Sequence, residues 1–401
     1  MKVLVYWHDI FLPYSEYIIR GFEDLEEIDE LTVCGPAQME IHEIFSKGRH
    51  SATPFQKSVM IELPSYCIRG KWAKLSGFIN VIRHHQPDLI IVLDEAMSVN
   101  VFNAGLANYL SGNKAKVFFY GFENIFQSIP FKFLYVNFSA SSLMTFLRKS
   151  FRFIFFDLAL QPLRKYLVHG GLYSYAECRA VIAKYGWNPT MAEQWWGIDL
   201  GKFNIFFGAN TRRKLRHSCN IPPQAKLAGF VGRFTEEKGV FDLIEFLSLA
   251  SDWHLLLVGA GEAKEELQKL ARDKGVQDRV YILPPQNQGD LATIYRSLDV
   301  LVLPSRTGWF WKEQYGRVLV EAMACGVPVV GSNSGAIPHV IGNDQYVFEE
   351  GNVEDIFKAV QRSIQMTEQQ RNESTLTAQK AKVETFARSF LSLYQKTKAH
   401  K

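Results

Sequence analysis

Buried-strand patterns separated by helical patterns run along most of this sequence. That alternation limits the possible folds more than any other feature. "KVLVYW", "LTVCG", "DLIIVLD" and "AKVFFYGFEN" read as strands. "SEYIIRGFEDLEE", "KLSGFINVIRHH" and "VNVFNAGLANYLSG" carry helical spacing, with Ser15 as the expected N-cap of the first. Several strands are apolar on both faces, which requires a parallel sheet covered on both sides. The alternation then restarts. "AKLAGFVGRF", "WHLLLVGAG", "RVYILPP", "DVLVLPS" and "PVVGS" read as strands, with helices such as "GVFDLIEFLSLA", "AKEELQKLARDKG", "QGDLATIYRSL" and "RVLVEAMACG" between them. Two doubly wound α/β units in tandem are expected, and 401 residues suffice for both. The expected boundaries are 1–195 and 196–383, with the linker in "GIDLGKFNIFFGANTRRKLRHSCNIPP".

Doubly wound sheets bind ligands at the C-terminal ends of their strands. With two such sheets the expected site is a cleft between them. "FVGRF", "VGAG", "LPSRTGWFWKE" and "GSNSG" would line one wall, and "YWHDIFLPYS", "LDEAMS" and "YGFEN" the other. A net charge of +4 is too small to argue for nucleic acid. Cys34, Cys67, Cys178, Cys219 and Cys325 show no metal-site spacing and suit free thiols in a reducing compartment. The first residues hold too short an apolar run for a signal peptide, so a cytoplasmic protein is expected.

The stretch "WKEQYGRVLVEAMACGVPVVGSNSG" carries the most chemistry. Gly316 separates Glu313, expected in the loop, from Glu321, expected one to two turns into a helix. A helix start favours phosphate, whereas carboxylates beside it favour hydroxyls, because an ionised carboxylate accepts from both hydroxyls of a diol. A nucleoside diphosphate sugar, with phosphate flanked by two polyols, fits such a site. A surface helix with two solvated glutamates would share the pattern. In "GRFTEEKG", Arg233 and Lys238 follow a strand and can neutralise a diphosphate. Each contact is worth about 4 kcal/mol at a surface-like dielectric.

"GRFTEEKGVFDLIEFL", "LLLVGAGEAKEEL", "IYRSLDVLVLPS" and "WKEQYGRVLVEAMACGVPVVGSNSGAIPHVIG" resemble, in order and spacing, the donor-binding half of glycosyltransferase family 4, of the GT-B fold. "WGIDLGKF" resembles that family's entry into its second domain. The resemblance covers roughly residues 195 to 345. It implies a retaining hexosyltransferase that needs no bound metal or other cofactor. It carries Arg233 and Lys238 over as diphosphate ligands, Glu313 as the donor-sugar contact and Glu321 as the ribose contact. Gly232, Gly316, Arg317 and Val318 complete the expected donor-binding set. The donor would be UDP- or GDP-linked, and the acceptor a polysaccharide, a lipid-linked glycan or a small molecule. The acceptor would meet the N-terminal domain, and the final helix, about 384–401, would pack back on that domain. Two other readings of the same fold stay open, a sugar-nucleotide epimerase and a catalytically silent sugar-nucleotide binder.

The N-terminal half departs from the family. Its first loop, "HDIFLPYSEY", lacks the usual glycines. Glu123 occupies the region of an expected histidine and is the candidate acceptor-side group, unless it serves as a strand-end carboxylate bonded to backbone. His8 is a second acceptor-side candidate, whereas His84 and His85 have no evident partners. "VGAGEAKEEL" begins like a dinucleotide fingerprint, but Lys264 stands where its third small residue belongs. Asp94 and Glu95 in "LDEAMS" suit helix capping better than a metal. The run 146–167 mixes aromatics with Arg148, Lys149, Arg152, Arg164 and Lys165. An ordinary domain helix is the preferred reading, with peripheral contact at the inner membrane face as the alternative.

Overall fold

The computed structural model describes residues 1–10, 15–36, 57–66, 72–125, 160–206, 209–309 and 311–399. The chain forms two compact units. The first takes the described residues up to Trp195 and resumes at Phe386; the second runs Trp196–Thr385.

The first unit is built on a seven-stranded parallel sheet: β1 (Lys2–Tyr6), β2 (Glu30–Pro36), β3 (Ser58–Leu63), β4 (Leu89–Val92), β5 (Lys116–Gly121), β6 (Gly170–Tyr173) and β7 (Thr190–Glu193). The strand order is β3-β2-β1-β4-β5-β6-β7, with the reversal at β1, where Val5 pairs with Val33 on one side and Ile91 on the other. One face of the sheet, with Leu4, Ile90, Val92 and Phe119, packs on Phe78 and Ile82 of the Leu75–His85 helix and on Val101 and Ala104 of the Val99–Leu110 helix. Beyond the sheet's other face lies the C-terminal segment. Phe386 sits 5.1 Å from Tyr120 and 6.4 Å from Phe22, ring to ring, and Arg388 reaches Glu27 at 2.7 Å. The Val383–Ala399 helix thus packs into the first unit from Phe386 onward.

The second unit holds a six-stranded parallel sheet: β8 (Lys226–Val231), β9 (Trp253–Val258), β10 (Val280–Leu283), β11 (Val300–Leu303), β12 (Val329–Ser332) and β13 (Val347–Phe348), in the order β10-β9-β8-β11-β12-β13. Val240, Leu243, Ile244 and Leu247 recur at helical spacing on the Val240–Leu249 helix and are all buried.

Three local expectations are corrected. Ser15 stands at the helix start, but its hydroxyl donates to the Ile10 carbonyl at 2.6 Å and makes no cap hydrogen bond. Asp94 and Glu95 do not cap the Val99–Leu110 helix; Ser98 does, accepting from the Val101 N–H at 3.1 Å. The basic run expected in a linker is a packed helix, Ala209–Ser218. Arg216 on it is buried and donates to Asp299 at 2.8 Å and to the Ala225 carbonyl at 2.7 Å. Of the 146–167 run, residues 146–159 lie outside the described residues. Gln161–Leu167 is a helix whose Arg164 is fully buried against Met97 and Phe102, so this cation is not on a surface face. Among the described residues no helix is long and apolar enough to cross a membrane.

Candidate functional site

The second sheet aims the ends of β8, β9, β11 and β12 at one side, and the loops that follow carry the motif residues. After β8, the chain reaches a single 3-10 turn, Glu236–Lys238. Gly239 follows with φ +65°, and a Cβ there would lie 1.9 Å from the Pro304 carbonyl oxygen. This contact sets the Lys238 loop directly against the end of β11. Lys238 Nζ then donates to Glu313 Oε2 at 2.7 Å and sits 4.6 Å from the centre of the Trp311 ring.

Glu313 lies in the loop before the Arg317–Ala324 helix and is 7% exposed. Its Oε2 also accepts from Ser305 Oγ at 2.7 Å. Burial raises the carboxyl pKa, but Lys238, Ser305 and the Gln314 N–H together outweigh it and hold Glu313 below the usual carboxylate range. The Ala336 N–H fixes the backbone by donating to the Glu313 carbonyl at 3.0 Å. Gly335, at φ +55°, permits this approach, because a Cβ there would lie 1.9 Å from that carbonyl oxygen.

Glu321 lies on the second turn of the helix and is 2% exposed. Tyr295 OH donates to its Oε2 at 2.7 Å, and Arg317 Nε lies 3.2 Å from its Oε1. Here burial wins, and the Glu321 carboxyl is pushed up against the opposing pull of Arg317 and Tyr295. Arg317 and Val318 form the first turn, directly after Gly316, where N–H groups have no preceding helical carbonyl. Arg233, with a side chain 44% exposed, pairs within its own loop with Glu237 at 3.4 Å. The Gly232 N–H is taken by the Val258 carbonyl at 3.0 Å.

The structure therefore brings Lys238 and Glu313 into contact, and separately Arg317 and Glu321. It gives Arg233 a partner in its own loop. His8 and Glu123 follow β1 and β5 of the first unit, with β4 between those strands. His8 Nε2 lies 3.6 Å from Asp9 Oδ1. Glu123 donates its N–H to Glu95 Oε2 at 2.7 Å, and its Oε1 accepts from Tyr185 OH at 3.4 Å. Tyr295, Ser305 and Trp311 are not singled out by motif reading. Tyr295 lies at a core-facing helical position and Ser305 closes an apolar strand, so each reads as structure until the fold sets it beside a glutamate.

Two Rossmann-like parallel-sheet units define the GT-B fold, and solved structures share it. A sucrose-phosphate synthase from Thermosynechococcus elongatus aligns over 100% of this chain and 100% of its own, with a TM-score of 0.69 at 16% identity. The Anabaena protein HepE, solved in complex with UDP, aligns over 99% and 100%, with a TM-score of 0.67 at 15% identity. Residues 211–380 match the family model for glycosyl transferases group 1. A D-inositol 3-phosphate glycosyltransferase of Mycolicibacterium gilvum is 33% identical over 147 residues, which is 35% of this chain and 31% of that protein. The chain thus spans about a third of the length of such curated relatives. Fold and matched segment together mark a GT-B protein with a segment similar to the group 1 glycosyl transferases.

Proposed function

We propose that the protein is a retaining glycosyltransferase that moves a hexosyl-type sugar from a nucleoside diphosphate sugar to an acceptor hydroxyl, with no bound metal ion. The Lys238–Glu313 pair carries the reading, set beside a helix start at the ends of parallel strands. Lys238 and Arg233 would take the diphosphate, with the N–H groups of Arg317 and Val318. Glu313 would accept from hydroxyls of the sugar and Glu321 from those of the ribose. As the glycosidic bond breaks, negative charge grows on the leaving diphosphate, so both cations bind it more tightly in the transition state than in the ground state. The acceptor oxygen would bond to the anomeric carbon from the face the phosphate leaves, and its proton would pass to the departing phosphate oxygen. Acceptor contacts would come from the first unit, with Glu123 and His8 as candidates.

The UDP and UDP-glucose held by HepE in its solved structures support a UDP-linked donor first, with a GDP-linked one second. The short match leaves the acceptor class broad: polysaccharide, lipid-linked glycan or small molecule. We place the enzyme in the cytoplasm, at the inner membrane face if its acceptor is lipid-linked.

A thermal-shift panel of nucleoside diphosphates tests the reading. UDP or GDP at a hundred times its Kd should stabilise the fold by about 2.7 kcal/mol. No shift with any of them rejects it. A product assay with donor and water alone separates an epimerase, which changes the sugar without an acceptor.

A further inference from the structure

We propose that Tyr295 is the positioning residue that makes Glu321 a ribose receptor; this rests on the donor-binding reading above. Glu321 is almost wholly buried, and Tyr295 is fully so. Tyr295 stands on the Gln288–Ser297 helix, with its ring 6.0 Å from that of Phe203. Its hydroxyl, 2.7 Å from Oε2, fixes the plane of the carboxylate from inside the protein. That leaves Oε1 turned toward Arg317, whose side chain is 35% exposed. The two oxygens thus differ: Oε2 accepts from the buried Tyr295, and Oε1 faces the partly exposed Arg317. A ribose hydroxyl would bind Glu321 at Oε1, taking the place of Arg317 Nε.

Without the tyrosine hydroxyl, two things change. The carboxylate can rotate, so Oε1 is no longer presented. Its ionised form also loses one of the two contacts that oppose burial, so it takes a proton more readily and accepts fewer hydroxyl donors. Tyr295 therefore acts through Glu321, and its signature is discrimination between ribose and deoxyribose, which a merely structural tyrosine would not alter.

The test measures binding of UDP against 2′-deoxy-UDP, and GDP against 2′-deoxy-GDP, by calorimetry near neutral pH. One hydrogen bond to a charged acceptor predicts that wild type prefers the ribose form by roughly ten- to a hundredfold. Tyr295→Phe should bring that ratio close to one, by weakening the ribose form and leaving the deoxy form as it was. An unchanged ratio in Tyr295→Phe overturns the proposal. So does a wild type that binds both forms equally, although the donor-binding reading then stands. If wild type binds no nucleoside diphosphate, both fall. Should Tyr295→Phe fail to fold, Glu321→Gln is compared with Tyr295→Phe/Glu321→Gln, which leaves no buried charge unpartnered. Equal ratios, both well below that of wild type, are the expected result; ratios that differ, or a Glu321→Gln ratio that matches wild type, overturn the proposal.

Discussion

The strand-end loops of the two sheets differ in how their carboxylates are held. In the second unit four acids on these loops and the helices after them meet cations: Glu313 with Lys238, Glu321 with Arg317, Asp242 with Arg306 and Glu237 with Arg233. In the first unit the two acids after β4, Asp94 and Glu95, meet neutral donors and crowd each other. Asp94 takes the Asn100 amide at 2.7 Å, and Glu95 takes the N–H groups of Phe122 and Glu123 at 3.0 and 2.7 Å. The contrast shows in the pKa shifts of Glu313 and Glu95, but not in that of Glu321, which burial raises despite Arg317. Glu313 is held below the ordinary range, whereas burial, then Glu123 and Asp94, push Glu95 well above it. Paired cations and acids suit a ligand that is part anion and part polyol. Crowded carboxylates suit hydroxyl donors and repel phosphate.

Lys238→Ala should break this contrast most severely. The pair is largely buried, and removing the cation strands Glu313 at a cost of about 3–5 kcal/mol. If Lys238 also meets the leaving diphosphate, kcat should drop by about 10²–10³-fold. Lys238→Ala/Glu313→Gln separates the two effects. Denaturant unfolding should show recovered stability, and the turnover assay should show no recovered rate.

Gly335→Ala comes next. The φ of +55° and a Cβ 1.9 Å from the Glu313 carbonyl oxygen predict a loss of about 3 kcal/mol or more, from left-handed strain plus overlap. Gly275→Ala is the control: its φ is +66° with nothing within 4 Å, so it should lose only about 1–2 kcal/mol. Only the first should also abolish the thermal shift with UDP, because only it displaces Glu313.

Much of the second unit was legible in the sequence, since β8, β9, β11 and β12 are mostly buried apolar runs that end in motif loops; the two-residue β13 was not. The first unit was less so. β3 is a half-exposed edge strand without the fully buried pattern, and β6 begins with Gly170 and Gly171, which carry no side-chain signal. Those glycines are there because a Cβ would lie 2.3 Å from the Thr190 carbonyl oxygen at one and 2.6 Å from the Phe119 ring at the other. The Glu313 and Glu321 positions were legible from their spacing around Gly316. Their partners Ser305 and Tyr295 were not, because contacts between β11, its neighbouring helices and the glutamates are set by tertiary packing. The pairing of Arg233 with Glu237 is by contrast local, four residues along one loop, and spacing alone allows it.

Glu95→Gln tests the first sheet by pH. The folded-state pKa of Glu95 is raised, so its contribution to stability is full below the ordinary carboxyl value and is lost as pH rises through the raised one. Glutamine keeps an oxygen for both N–H groups and does not titrate. Its Tm should therefore gain on wild type as pH rises from the ordinary carboxyl range toward neutrality, reaching a few degrees. A constant gap across that window would mean that Glu95 does not titrate there. Glu313 has the opposite sign, and the stability it contributes is lost as pH falls through its lowered value.

Arg233→Ala should have the smallest effect on the fold. The Arg233–Glu237 contact is exposed and 3.4 Å long, so its removal should change stability by about 0.5 kcal/mol or less. Its effect on donor binding should be larger than that, because a diphosphate would draw the guanidinium from Glu237. Salt sharpens the comparison with Lys238. An exposed cation is screened within about 10 Å at 0.1 M ionic strength, whereas a buried one is screened far less. UDP affinity measured at rising salt should therefore bring wild type toward Arg233→Ala while keeping it well above Lys238→Ala. If both gaps close together, Lys238 acts from solvent like Arg233, and the buried pair with Glu313 opens before the nucleotide binds.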